Sequence, residues 1–166
     1  MKKSKTKVFI DGANIFYTQK HLGWRIDWKK VLQQLSKDSD ITEVRYYTGI
    51  KNHDEKMKKF LSSLRKIGLK TITKPLKIIK DKQNRVVFKS NCDVEMAVDI
   101  LLEVNNFETL VLFSGDSDFI YLIKTLQKQF QKQVIVYSCR KTIAWELKLT
   151  AIKYFFLDDF KNSLKK

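Results

Sequence analysis

Three short stretches of this chain carry carboxylates in company that suits metal-assisted chemistry: Asp11 in VFIDGAN, Asp93 and Asp99 in CDVEMAVD, and Asp116 and Asp118 in FSGDSDF. Two of them follow apolar, strand-like runs, V-F-I before Asp11 and L-V-L-F before Ser114. Carboxylates just past the ends of buried parallel strands face a common crevice, where open α/β sheets place their sites. Clustered carboxylates repel, and burial sharpens the repulsion. A hard cation such as Mg²⁺ or Mn²⁺ relieves it, taking oxygen ligands and completing an octahedron with water. One or two such ions activate water and stabilise charge on a phosphodiester.

The acids differ in what their neighbours imply. Gly12 lets the backbone turn sharply after Asp11, and Asn14, one turn on, is placed to orient a water or a carboxylate. The same residues also fit a plain strand-to-helix turn capped by Asp11. Ser114, Asp116, Ser117 and Asp118 crowd the start of a predicted helix, where the dipole favours each negative charge by about 0.3–1 kcal/mol. Capping explains some of these polar residues, but one helix start does not need them all. Asp93 also opens a predicted helix. Asp99 lies six residues on, about 240° around at 3.6 residues per turn, so the two do not point the same way. Asp93 is the stronger site member. Asp99 is left to the rim, to a supporting contact, or to solvent.

Other chemistries lack their residues. His21 and His53 are isolated, and no Cys/His cluster suits zinc. There is no GxxxxGK[ST], and no GxGxxG follows the first strand. A phosphatase with an aspartate nucleophile commonly needs a second acid two residues later, and that position is Ala13.

The acids sit in a basic chain, with 33 Lys and Arg against 18 Asp and Glu, a net charge of +15. Residues 51–90 hold thirteen basic residues and three acids, a net of +10. Such an excess suits a polyanion, because lysine and arginine contacts to phosphates release counterions; a lysine-rich solubility surface is the plainer explanation. Two cysteines, Cys92 and Cys139, fit free thiols in a reducing compartment. The N-terminus has no apolar run of signal-peptide type, and no stretch reaches the roughly 18 apolar residues of a membrane span. A cytoplasmic location is expected.

The elements that must position the acids alternate. Strands are predicted over residues 7–10, 41–47, 69–73, 109–113 and 134–137. Helices are predicted after Asp27, through Met57–Ile67 up to Gly68, and over 93–104, 117–130 and 142–149. Leu76–Ile79 and Val86–Phe88 flank a polar stretch and predict a β-hairpin. Lys56, Lys59 and Lys66 fall on the outer side of their helix. Tyr154–Leu157 reads as a last edge strand, and Tyr154–Phe156 with Phe160 pack either that edge or a homodimer contact. The 166 residues read as one α/β domain with a doubly wound, mainly parallel sheet.

On these residues the chain resembles the NYN domain family, in its LabA-like branch within the PIN-like nuclease superfamily. VFIDGANIF, FKSNCDVEMAVDILLE and LVLFSGDSDFIYLIKTLQKQFQKQVIVYS carry the likeness, in matching order and spacing over residues 6 to 140. Where many relatives have Lys-Gly-Val-Asp, this chain has Lys89-Ser90-Asn91-Cys92-Asp93. The resemblance implies a PIN-like three-layer α/β/α sandwich and Mg²⁺- or Mn²⁺-dependent hydrolysis of RNA. It implies that Asp11, Asp93 and Asp116 bind metal, with Asp118 a fourth acid, direct or through water. Asp99 matches an acidic position, and Asn14 and Ser114 match polar positions beside the metal.

The expected partner is RNA, with DNA open on the same chemistry. Its backbone would be held by Lys56, Lys59, Lys66, Lys77, Lys80, Lys82, Arg85 and Lys89. Trp24, Tyr46 or Tyr47 would offer rings to unpaired bases, although aromatics in such strands more often belong to the core. The alternative expectation is a catalytically inactive RNA-binding or regulatory module on the same fold.

Overall fold

The runs V-F-I and L-V-L-F become the two central strands of a sheet buried on both faces. In the computed structural model, which describes residues 3–80, 86–89 and 91–166, strand β1 spans Ser4–Asp11 and leads into helix α1, Gly12–Leu22. Helix α2 (Trp28–Leu35), strand β2 (Ser39–Ile50), helix α3 (Glu55–Lys66) and strand β3 (Lys70–Pro75) follow. Strands β4 (Lys77–Lys80) and β5 (Val86–Lys89) pair antiparallel as a separate hairpin. The second half runs α4 (Asp93–Leu102), β6 (Thr109–Phe113), α5 (Ile120–Phe130), β7 (Gln133–Ser138), α6 (Trp145–Thr150), β8 (Lys153–Phe156) and α7 (Lys161–Leu164).

The main sheet has six strands in the order β3-β2-β1-β6-β7-β8, every pair parallel. The chain winds outward from β1 to β3, returns to lay β6 beside β1, and winds outward again to β8. The β1–β6 seam, with Ile10 opposite Phe113, is therefore the switch point at which such sheets open a crevice.

Period-two alternation assigns the two faces. Val8, Ile10, Val111 and Phe113 pack with Trp28, Val31, Leu61 and Leu64 of α2 and α3. Phe9, Tyr47, Leu110, Leu112 and Val136 pack with Met96 and Ile100 of α4, Ile123 and Leu126 of α5, and Leu147 of α6. The result is helices, sheet and helices in three layers. The same alternation sends Asp11 to the face of Phe9, and Ser114 to the face of Leu112.

Local chemistry sets the boundaries. Asp27 caps α2 through the N–H groups of Lys29 and Lys30, and Asp54 caps α3 through Met57 N at 2.9 Å. Gly68, at φ 94°, ends the α3 turn as expected. Strand β2 is longer than its apolar core because it pairs with β1 from Ser39 to Tyr47 and with β3 from Arg45 to Ile50. The helix expected from residue 117 opens as a 3₁₀ turn, Ser117–Phe119. The one expected from 142 starts at Trp145, because the Thr142 hydroxyl contacts Thr18, Ser138 and Cys139 instead. At the far edge Phe155 stacks on Tyr137 and meets Phe160 edge-on.

Helix α4 buries Met96 and Ile100 against the sheet, and two acids at its C-terminal end also face inward. Glu103, which caps the helix, pairs with Lys7 at 2.6 Å and Arg45 at 3.1 Å, and Asp99 pairs with Arg45 at 3.3 Å. Val94, Val98, Leu101 and Leu102 lie on its exposed side. Among the described residues no helix is long and apolar enough to cross a membrane.

Candidate metal centre

Three elements deliver the acids to one end of the sheet. Asp11 ends β1 and caps α1, its Oδ1 accepting from Asn14 N at 3.0 Å. Ser114 follows β6, and its Oγ donates to Asp11 Oδ2 at 3.0 Å. The same oxygen accepts from Asp116 N at 3.2 Å. Asp116 then turns the chain by accepting from Asp118 N at 3.0 Å. Asn14 closes the circuit, its Oδ1 accepting from Gly115 N at 3.0 Å. Gly115 is required here, since a Cβ would run into the Thr142 carbonyl and the Ser138 hydroxyl.

Asp93 arrives from the third direction, at the first residue of α4. Asn91 orders the approach, its Oδ1 accepting from Asp93 N at 2.8 Å. Lys74, at the end of β3, reaches Asn91 O at 3.2 Å and Glu95 at 2.5 Å. These contacts pin the base of the β4–β5 hairpin to the start of α4.

Asp93, Asp116 and Asp118 each offer an oxygen within 4.8 Å of the other two. Two oxygens on opposite sides of one Mg²⁺ would stand about 4 Å apart, at ~2.0–2.1 Å from the ion. Adjacent ligands of the same ion would stand about 3 Å apart, so the trio is spaced to hold one ion after drawing together, or through bridging water. Asp93 Oδ2 is buried and has no hydrogen-bond partner, an expensive arrangement for a carboxylate unless a cation or proton occupies the space. The donor set is all oxygen, which suits Mg²⁺ or Mn²⁺. Asp11 lies outside this trio, behind Ser114.

The electrostatics agree with the crowding. Burial pushes Asp93 up to about 6; the negative charges of Asp11, Asp116 and Asp118 add to the rise, and the Asn91 hydrogen bond opposes it. Asp11 is also raised, by burial first, with the Asn14 amide and the Ser114 hydroxyl opposing and the Asp116 charge adding.

Asp99 goes elsewhere. Its carboxylate accepts from the Tyr47 hydroxyl at 2.7 Å and faces Arg45. Lys56 and Lys59 are exposed on the first turns of α3, at the carboxyl edge of the sheet. Lys66 ends α3 and lies at the opposite edge. Lys77, Lys80 and Lys89 belong to the hairpin strands, and Lys82 and Arg85 lie outside the described residues. Trp24, Tyr46 and Tyr47 are all buried, 5% exposed or less, so their rings serve the core and not unpaired bases. The reading from sequence missed Gly115 and Asn91. Gly115 lies within the quoted FSGDSDF, and its signal was a glycine between two polar residues at a strand end. Asn91, two residues before a helix start, carried the signal of an Asx turn.

The NYN domain model matches residues 5–158. The chain belongs to the NYN domain family. This NYN domain is 34% identical over 167 residues to the low amplitude and bright protein LabA of Synechococcus elongatus, covering 98% of this chain and 89% of that protein. A crystal structure of a Vibrio parahaemolyticus protein of unknown function superposes with a TM-score of 0.84 at 22% identity, over 98% of this chain and 96% of the other. That likeness shows the same fold over nearly the whole chain. NYN domains are typically nuclease-like.

Proposed function

We propose that this NYN domain is a ribonuclease that uses Mg²⁺ or Mn²⁺ held by Asp93, Asp116 and Asp118, with Asp11 supporting them from behind Ser114. The observation that carries the reading is the buried, unpartnered Asp93 Oδ2 beside two further carboxylates within 4.8 Å. A divalent ion bound there would supply Lewis-acid polarisation of a phosphoryl oxygen and a more acidic water.

The chain's own residues do the rest. Asp11 and Asn14 hold the loop that carries Asp116 through Ser114 Oγ and Gly115 N, and the Asp118 amide orients the Asp116 carboxylate. Asp93, with its carboxyl raised to about 6, is the acid most ready to hold a proton while no cation is bound. Lys56, Lys59 and the hairpin cations Lys77, Lys80, Lys82, Arg85 and Lys89 would grip the phosphate backbone.

The competing reading, an RNA-binding or regulatory module without catalysis, draws on Asp11. Both of its oxygens already accept hydrogen bonds within the fold, a structural duty that needs no metal. A cleavage assay on RNA and DNA with Mg²⁺, Mn²⁺ and EDTA arms tests the proposal. RNA should be cut with either ion, spared in EDTA and spared by Asp116→Asn. Intact RNA in every arm, or full activity in the variant, sinks it. RNA binding without Mn²⁺ binding in calorimetry favours the module.

A further inference from the structure

Two of the three tryptophans, Trp24 and Trp28, are core residues at 5% exposure, whereas Trp145 is 65% exposed. Its place is specific. Ala144 N donates to Gly115 O at 2.9 Å, so the first residue of α6 and Asp116 stand one residue either side of a single hydrogen bond. The start of α6 therefore adjoins the loop that presents Asp116. Lys148, one turn along α6, places its Nζ 5.4 Å from the centroid of Trp145 and 5.4 Å from that of Phe156. Lys141 is exposed in the turn just before. Arg140, by contrast, is held by Asp159 at 2.9 and 3.0 Å while covering Phe156, and so stiffens the support beneath.

An exposed ring with an ammonium group beside it and an exposed lysine in the preceding turn matches the two demands of single-stranded nucleic acid: a flat apolar surface for a base and cations for the neighbouring phosphates. Duplex bases are already stacked on one another and offer no free face. We propose that Trp145, with Lys148 and Lys141, is a stacking platform for an unpaired base of the substrate, so that the pocket takes single-stranded RNA in preference to duplex. The platform lies on the α6 side of the pocket, toward the β7–β8 edge of the sheet and not the β3 edge. The proposal rests on the ribonuclease reading for its substrate, and its test separates the two.

Intrinsic fluorescence is the readout, since an RNA-dependent change at an exposed tryptophan reports Trp145. The full chain is titrated in EDTA with a single-stranded oligouridylate of about eight nucleotides, and with the same strand in a duplex. The single strand should quench emission and the duplex should not. Trp145→Ala should lose the signal and bind the single strand about 5- to 150-fold more weakly, with Mn²⁺ affinity unchanged. Trp145→Phe should restore most of the binding. Single-strand binding within about two-fold of wild type in Trp145→Ala, or equal binding of the duplex, overturns the platform. So does quenching that follows protein concentration without RNA, which assigns the face to contact between two copies. If the platform fails while Asp116-dependent cleavage persists, the ribonuclease reading stands alone. If wild type cuts nothing yet the Trp145-dependent quench appears, the platform stands on a binding module.

Discussion

Ser114 Oγ donates to Asp11 Oδ2 at 3.0 Å across the seam between β1 and β6, joining residues 103 positions apart. The same hydroxyl oxygen accepts from Asp116 N. One side chain thus fixes a buried carboxylate and the loop that presents the next. Ser114→Ala leaves Asp11 Oδ2 without its donor in a buried site. Stability should fall by about 1–3 kcal/mol in urea unfolding. Mn²⁺ affinity should fall by about 10- to 100-fold, the usual cost of losing a partner that orients a metal ligand. Unchanged Mn²⁺ affinity would show that Asp11 and Asp116 do not act together.

The Asp93 carboxyl makes a prediction about pH. Its ordinary value is 3.8, and burial with the neighbouring acids raises it to about 6 in the fold. A carboxyl raised in this way favours the fold while it is protonated. That contribution is fully present below the ordinary value and is lost as pH rises through about 6. In EDTA, Asp93→Asn should melt with wild type near pH 4 and above it near pH 7, the gap opening between. A gap independent of pH would show that Asp93 is not the strained acid. Mn²⁺ should narrow the gap at pH 7 by stabilising the wild type.

Under α4, Arg45 faces Glu43, Asp99 and Glu103 together. Arg45→Met removes the shared cation and leaves three acids around an apolar side chain. The expected loss is about 3 kcal/mol, in the range for breaking a buried pair, read as a lower urea midpoint. Tyr47→Phe removes only the hydroxyl that Asp99 accepts, and should cost about 1 kcal/mol. If the two variants cost the same, the ion network contributes little to holding α4.

Lysines on one helix separate into two groups by height. Lys56 and Lys59 stand at the carboxyl edge of the sheet, whereas Lys66 stands at the other. Lys56→Glu with Lys59→Glu should weaken RNA binding and flatten its salt dependence by about 0.7 per lost contact with single strands. Lys66→Glu should leave both unchanged. Equal effects from the two would mean that RNA binding follows overall charge and not position.

What the sequence disclosed follows from what each residue interacts with. The apolar runs before Asp11 and Ser114 are buried on both faces, so their character is written in consecutive residues. Asp27 and Gly68 act within three or four positions of themselves, and their roles were equally visible. Asp99 shows the limit. Its angle around α4 correctly turned it from Asp93, but Tyr47, 52 positions away, could not be read as its partner. Helix α1 entered the reading only as a turn capped by Asp11, because its inward residues Gly12, Ile15 and Thr18 make a narrow stripe beside exposed Phe16 and Tyr17. Trp24, Tyr46 and Tyr47 were offered as stacking rings because sequence records an aromatic side chain but not which way it faces. Trp145 was passed over for the same reason.

The order of the strands also decides when the pocket exists during synthesis. Asp11 leaves the ribosome before the other acids, and β1 can pair with β2, and β2 with β3, while the rest of the chain is still being made. The β1–β6 seam must wait for residues 109–118, and parallel pairing over such a separation closes slowly because the intervening loop must be ordered first. Until then the N-terminal acid has no companions. A nascent chain translated from a messenger RNA thus carries no assembled carboxylate pocket until residues 109–118 have emerged.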